Sequence, residues 1–311
     1  MNTFSEEDTQ DKINQLQAII NNSDNETQRI KSIQLLKEGG IKNFNYFKFV
    51  ENLLISDANS IIRNLAVEII KNNFLKDNYK SIKIFKALCW AYENECSIEC
   101  LLNIISTIGE IDSSLSRDFL LTKLNNIEIF EFNNYITKLK QNYDFKTFNN
   151  KKLAYLLKNY HIVKNFIHNF ELVSYRFQNG DIIELDFSFA YNNDFTNSII
   201  KTLPKIMNHL KDLQSLNLKY NKLENIPRFI KYLTSLRFLN LSNNNIKKIP
   251  SFISKLSSLE YLDLSWNNIQ CIPEEIERLK NIKTLNLQHN RNLSFTMSLF
   301  KLQKRGVKVN I

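Results

Sequence analysis

Apolar residues in the last third of the chain recur at a fixed interval. Leu213, Leu216, Leu218 and Leu223 open one unit, and Leu236, Leu239, Leu241 and Ile246 repeat it. Leu259, Leu262, Leu264 and Ile269 follow, then Ile282, Leu285 and Leu287, with a one-residue slip at Leu293. Each unit carries an asparagine at the same offset: Asn221, Asn244, Asn267 and Asn290. The chain's four prolines, Pro204, Pro227, Pro250 and Pro273, are each 23 residues apart and each follow Leu or Ile. Two leucines at i and i+2 share one face of a short strand. One unit cannot bury them alone, so stacked units must build a continuous core. Proline fixes φ in the outer segment, where no ladder hydrogen bond is lost.

The pattern L-x-x-L-x-L-x-x-N-x-L with a Leu/Ile-Pro step resembles the leucine-rich-repeat family in its 23-residue intracellular form. The resemblance covers residues 182–311. It implies a right-handed, curved α/β solenoid in which the Asn amide bonds to backbone groups of neighbouring turns. A degenerate first unit is read from Ile182, Leu185, Phe187, Ile200 and Leu203. It carries an insertion of eight residues within Ser188–Ser198, and insertions of this kind often line a binding face. Its aromatics Phe189, Tyr191 and Phe195 form a possible loop site. Asn179-Gly180 lies between two alternating runs and predicts a hairpin whose strand Leu172–Phe177 caps the first repeat strand. At the other end Phe295, Leu299 and Leu302 stay in register, and residues 306–311 read as a final strand.

Helical periodicity fills residues 12–160. Arg29-x-x-Ser32-x-x-Leu35-Leu36 aligns with Arg63-x-x-Ala66-x-x-Ile69-Ile70, and then with Glu99-x-x-Leu102-x-x-Ile105, at spacings of 34 and 36. Each is followed by a second apolar helix. Asp57 ahead of Ile61-Ile62-Arg63 and Ala66 is similar to the start of an inner helix in HEAT repeats, although the small residue expected beside the arginine is Leu102 in the third copy. The organisation expected is therefore a disordered 1–11, HEAT-like or armadillo-like repeats over 12–130, a helical connector and capping strand over 131–180, and leucine-rich repeats over 181–311. The fold class is an all-α helical-repeat domain followed by an α/β solenoid.

Composition narrows the function. The chain has 311 residues, 43% hydrophobic and 23% charged, which suits an ordinary globular core. No apolar run is long enough to span a bilayer, and the polar, acidic start does not read as a secretory signal. Cys89, Cys96, Cys100 and Cys271 do not flank the repeat block, which favours a reducing, cytoplasmic setting. Cys96 and Cys100 lie a helical turn apart near Cys89, but a zinc site lacks its fourth ligand. Five glycines cannot build a phosphate-cradling loop. No motif calls for catalysis, and neither a cofactor nor a metal is expected.

Net charge is +9, with the basic excess beyond residue 130. In residues 131–164 lysines interleave with Tyr135, Phe145, Phe148, Tyr155 and Tyr160, a combination that single-strand binding uses. This keeps nucleic-acid binding as an alternative, below protein binding. By the repeat register, the residues between and beside the strand leucines are exposed on the concave face and carry specificity. They are Asp186, Asn217, Lys219, Tyr220, Phe238, Asn240, Tyr261, Asp263, Trp266, Thr284, Asn286 and His289, with Ser215, Ser242, Asn243, Ser265 and Gln288 among them. Tyr220, Phe238, Tyr261 and Trp266 are the expected anchors, since Tyr and Trp dominate interface energetics. The polar column Asp186, Asn217, Asn240, Asp263, Asn286 has two readings, recognition or ordering of water. The resemblance implies a monomeric, non-catalytic scaffold that grips a protein partner. Regulation of a signalling enzyme or small GTPase enters by family analogy alone.

Overall fold

The computed structural model describes residues 6–39, 46–75, 81–141, 144–171, 173–188, 191–192 and 205–311. These fall into two compact units, Met1–His161 and Ile162–Ile311. The division lies inside one helix, between the two connector boundaries expected from sequence.

The first unit is helical. Its helices are α1 (Glu6–Asn22), α2 (Glu26–Glu38), α3 (Phe47–Ser56), α4 (Ser60–Ile69), α5 (Ser81–Asn94), α6 (Ile98–Glu110), α7 (Ser114–Asn125), α8 (Phe130–Gln141), α9 (Asp144–Thr147) and α10 (Asn150–Asn169). Helix α1 starts at Glu6, inside the stretch expected to lack structure. Neighbours pair as α1 with α2, α3 with α4 and α5 with α6, while α4 packs on both α2 and α6, and α3 on α5. Helical hairpins thus stack in two layers, the arrangement of an α-solenoid. Helix α6 is apolar nearly all round and buries Cys100, Leu102, Ile104, Ile105 and Ile108, as a central helix must. At Gly109 any Cβ would collide with the Ala154 Cβ, so glycine is required where α6 meets α10.

Capping fixes the helical repeat. Asn25 accepts from the Gln28 N–H at 3.1 Å and Asn59 from the Ile61 N–H at 2.8 Å, satisfying amides that a helix start leaves bare. Two residues upstream of each cap, one side chain accepts the cap's own N–H: Ser23 for Asn25, Asp57 for Asn59 and Glu95 for Ser97. Aligned on caps Asn25, Asn59 and Ser97, the third copy begins two residues later than the sequence alignment placed it. Leu101, not Glu99, then stands where Arg29 and Arg63 stand. The acidic residues also hold the copies together. Arg29 pairs with Asp57, and Arg63 makes two bonds to Glu95 at 2.6 and 2.8 Å.

The second unit is the solenoid. Its strands are β1 (Phe170–Glu171), β2 (Ser174–Gln178), β3 (Asp181–Asp186), β4 (Tyr191–Asn192), β5 (Ser215–Asn217), β6 (Phe238–Asn240), β7 (Tyr261–Asp263), β8 (Thr284–Asn286) and β9 (Lys308–Asn310). One sheet runs β2-β3-β5-β6-β7-β8-β9, parallel from β3 onward. Leu185, Leu216, Leu239, Leu262, Leu285 and Val309 lie side by side across it. The expected hairpin forms, with Asn179 (φ 53°) and Gly180 (φ 88°) in the left-handed region that this turn needs. Strand β1 pairs with β4, so the insertion's start returns to the end of α10. Phe187 is fully buried between the rings of Phe166 and Phe170.

On the outer side Pro227, Pro250 and Pro273 each begin a 3₁₀ turn: Arg228–Tyr232, Ser251–Lys255 and Glu274–Arg278. The buried asparagines form a ladder. Asn267 donates to the carbonyls of Leu241 and Leu264 at 2.9 and 3.1 Å and accepts from the Ile246 N–H at 2.9 Å. Asn244 and Asn290 repeat all three bonds. After the last repeat, α11 (Met297–Lys304) replaces the 3₁₀ turn and buries Leu299 and Leu302. Phe295 is 60% exposed, against the expectation that it stays in the core register. The one-residue slip at Leu293 and the switch to a wider α-helix move it outward.

Candidate protein-binding face

The exposed face of the parallel sheet is built from four rows of side chains, one residue per repeat. The first row holds Ser215, Phe238, Tyr261 and Thr284, adjacent by strand register. Phe238 and Tyr261 stack with ring centroids 4.6 Å apart and planes 3° from parallel. Thr284 extends this row, half-buried.

The second row is the polar column, and a repeated hydrogen bond explains it. Each side chain accepts the backbone N–H two residues on: Asp186 from Ser188 at 2.7 Å, Asn217 from Lys219 at 3.1 Å, Asn240 from Ser242 at 3.0 Å, Asp263 from Ser265 at 2.9 Å and Asn286 from Gln288 at 3.3 Å. These are Asx-turns, which take the chain out of the strand. Sideways bonds add to them, from Asn217 to Asp186 at 3.0 Å and from Asn286 to Asp263 at 3.2 Å. Asp263 receives four donors, counting the Tyr261 and Ser265 hydroxyls at 3.0 and 2.7 Å. Its capacity is spent within the fold, and it is only 8% exposed. Burial first, and the adjacent Asp263 charge second, push the Tyr261 phenol up to about 12.

The third row corrects an expectation. Ser242 and Ser265 are buried, not displayed, because their hydroxyls turn back onto Asn240 and Asp263. Lys219 in the same row lies with its ammonium 4.5 Å from the Tyr220 ring centroid.

The fourth row holds residues that the repeat register places on this face, but its backbone conformation has no forerunner in the sequence reading. Tyr220, Asn243, Trp266 and His289 all have φ between 54° and 61°. That left-handed conformation lets the chain leave the Asx-turn and drop the next residue, the ladder asparagine, into the core. Asn visits it readily, whereas an aromatic there is strained by roughly 1–2 kcal/mol. Trp266 is 55% exposed, and His289 stacks on it at 3.8 Å between centroids, 23° from parallel. The signal that could have found this conformation is Asn243 itself, standing where its neighbours are aromatic. Of the proposed loop site, Phe189 and Phe195 lie outside the described residues, and Tyr191 is described by its backbone alone.

The basic 131–164 stretch places its aromatics differently. Phe145 and Tyr160 are buried, with Tyr160 edge-on to Phe132, and Tyr155 lies under the Lys152 ammonium. Among the described residues no group of three or more His, Cys, Asp or Glu could hold a metal, and no helix is long and apolar enough to cross a membrane. The four cysteines are free thiols.

Comparison with known proteins agrees with the repeat geometry. Residues 228–305 match the family described as a leucine-rich repeat region, and residues 196–246 match the leucine rich repeat. The second unit is a leucine-rich-repeat solenoid. A leucine-rich-repeat protein of Leptospira interrogans is 35% identical over 36% of this chain and 29% of its own, with TM-score 0.34. An internalin of Listeria monocytogenes is 23% identical over 42% of this chain and 37% of its own, at 0.34. The receptor-kinase ectodomain of SOBIR1 from Arabidopsis thaliana is 24% identical over 40% and 73%, at 0.28. The chain thus spans less than a third of the Leptospira protein. The comparison with curated proteins finds no match.

Proposed function

We propose that this chain is a non-catalytic binding protein that holds a protein partner on the exposed strand face of its repeats. One observation carries the reading. The polar column is consumed by Asx-turns, yet the aromatic rows beside it stand half-buried or exposed, as the Phe238–Tyr261 stack and the Trp266–His289 stack. Strained, exposed aromatics do nothing for a merely solvated surface, whereas rigid rings with few rotamers are effective interface anchors. Tyr220, Phe238, Tyr261, Trp266 and His289 are the anchoring residues. Asp186, Asn217, Asn240, Asp263 and Asn286 hold the turns that present them, Lys219 supplies a cation, and Thr284 extends the first row. The protein acts as a monomer, in a reducing compartment where its thiols stay free.

The test is affinity capture from native lysate with nuclease treatment. Wild type is compared with a variant carrying alanine at Tyr220, Phe238, Tyr261 and Trp266, its fold verified by circular dichroism. A partner lost only in the variant supports the reading. Equal capture by both removes the face from consideration. The nucleic-acid alternative is weakened by the burial of Phe145 and Tyr160, since a buried ring offers no stacking face. Capture that disappears with nuclease would restore it.

A further inference from the structure

Cations stand along both borders of the strand face. On the border where the chain enters each strand, one carboxylate holds two of them, since Arg237 and Lys283 both bind Glu260. On the border where the chain leaves, beside the left-handed row, no carboxylate among the described residues does so. Across residues 219–225, 242–248, 265–271 and 288–294 stand Lys219, Lys222, Lys247, Lys248 and Arg291, against the single carboxylate of Glu224. Among the described residues none of the five cations takes part in an ion pair. Lys222, Lys247, Lys248 and Arg291 are exposed. Five like charges held along one border repel each other unless salt or a partner neutralises them. The fold does not require them, because Asn245 and Asn268 occupy the position of Lys222 and Arg291 in the other repeats.

This border runs alongside Tyr220, Trp266 and His289, so exposed ring planes and uncompensated positive charge lie together. We infer that the partner presents an extended acidic segment carrying apolar or aromatic side chains, laid across the repeats, with its carboxylates on the Lys222–Arg291 border and its apolar side chains on the Trp266–His289 and Phe238–Tyr261 stacks. This rests on the strand face being the binding site and adds the chemistry of its occupant. Strands ~4.8 Å apart from β5 to β8 place the row across roughly 15 Å, which an extended segment of about five residues spans. A nucleic acid strand matches less well. One face of each ring is already taken, by the other ring of its stack or by Lys219, which leaves fewer faces for bases to stack on.

The experiment selects a random displayed-peptide library on the full chain, then measures the enriched peptides by fluorescence anisotropy. Three proteins are compared: wild type, the charge-reversed Lys222→Glu/Lys247→Glu/Lys248→Glu/Arg291→Glu variant, and Trp266→Asn. All four reversed residues are exposed, so the variant folds, which a thermal melt checks. Enriched peptides should be rich in Asp and Glu with interspersed apolar residues. Their affinity should fall about tenfold or more on charge reversal and on Trp266→Asn, and weaken as salt is raised. Failure to enrich, enrichment without an acidic excess, or equal affinity for the charge-reversed variant overturns the inference. Tighter binding of an oligothymidylate than of any peptide assigns the border to nucleic acid and overturns it too. Should the four-alanine variant lose its captured partner while the charge-reversed one retains it, the strand face stands as the site and only the acidic occupant falls.

Discussion

Trp266 stands in the left-handed region with half its surface in water. A residue kept for stability would not be an indole there. Trp266→Asn should leave the thermal midpoint unchanged or raise it, by up to about 1 kcal/mol of stability, as αL strain is relieved. A loss beyond ~2 kcal/mol would show that the stack with His289 holds the fold rather than a partner. Asn267 is the opposite case. The Ile246 amide has no other acceptor inside the turn, while the Leu241 and Leu264 carbonyls each keep one further donor, from Asn244 and Asn290. Asn267→Ala should cost about 1–3 kcal/mol in urea unfolding, since the buried Ile246 N–H loses its partner. Asn267→Asp should be no better, because a carboxylate cannot donate to the two carbonyls. The ladder asparagines were legible from their 23-residue spacing. The left-handed residue before each was not, because φ depends on how the turn closes and not on the residue type that fills it.

At the scale of elements, the helical copies are joined by Arg63 and Glu95, whose side chains are 18% and 1% exposed. Burial alone would raise the Glu95 carboxyl. Hydrogen bonds from Arg63, the Ser97 amide and Cys100 outweigh it and hold the carboxyl below its ordinary value. A carboxyl whose pKa is lower folded than unfolded stabilises above the unfolded value, ~4.3, and loses that contribution as pH falls through the folded one. The midpoint should therefore drop in this acid window in wild type, and Glu95→Gln should flatten that drop. The same variant at neutral pH should cost about 2–3 kcal/mol, below the usual range for a buried pair because Arg63 reaches solvent. An unchanged acid profile would remove the pair from the account. Gly109→Ala should also destabilise, by about 1–3 kcal/mol, through the clash with Ala154. The sequence aligned Glu99 with Arg63 because apolar spacing is blind to caps. The two extra residues before Ser97 leave the helical period readable while moving its origin.

Over the whole molecule, thiol accessibility checks both units at once. Cys96 and Cys271 are exposed, while Cys100 is buried. Burial pushes the Cys89 thiol up to about 12 and raises Cys100 as well, the latter also through its bond to Glu95. Because the thiolate is the nucleophile, iodoacetamide near pH 8 should modify Cys96 and Cys271 first and the other two only on unfolding. Mass spectrometry of timed digests reads the order. Early labelling of Cys100 would contradict the packing of α6. What the sequence determined is whatever recurs, namely the leucine register, the prolines that begin each outer turn and the asparagine ladder, since a repeat prints the same local requirement several times over; the Asn-Gly hairpin was legible from turn chemistry alone. The tertiary structure alone decided which of the positions expected on the strand face are spent on holding turns. That depends on where a hydroxyl or carboxylate finds its partner in space, which put Ser242, Ser265 and Asp263 inside the fold.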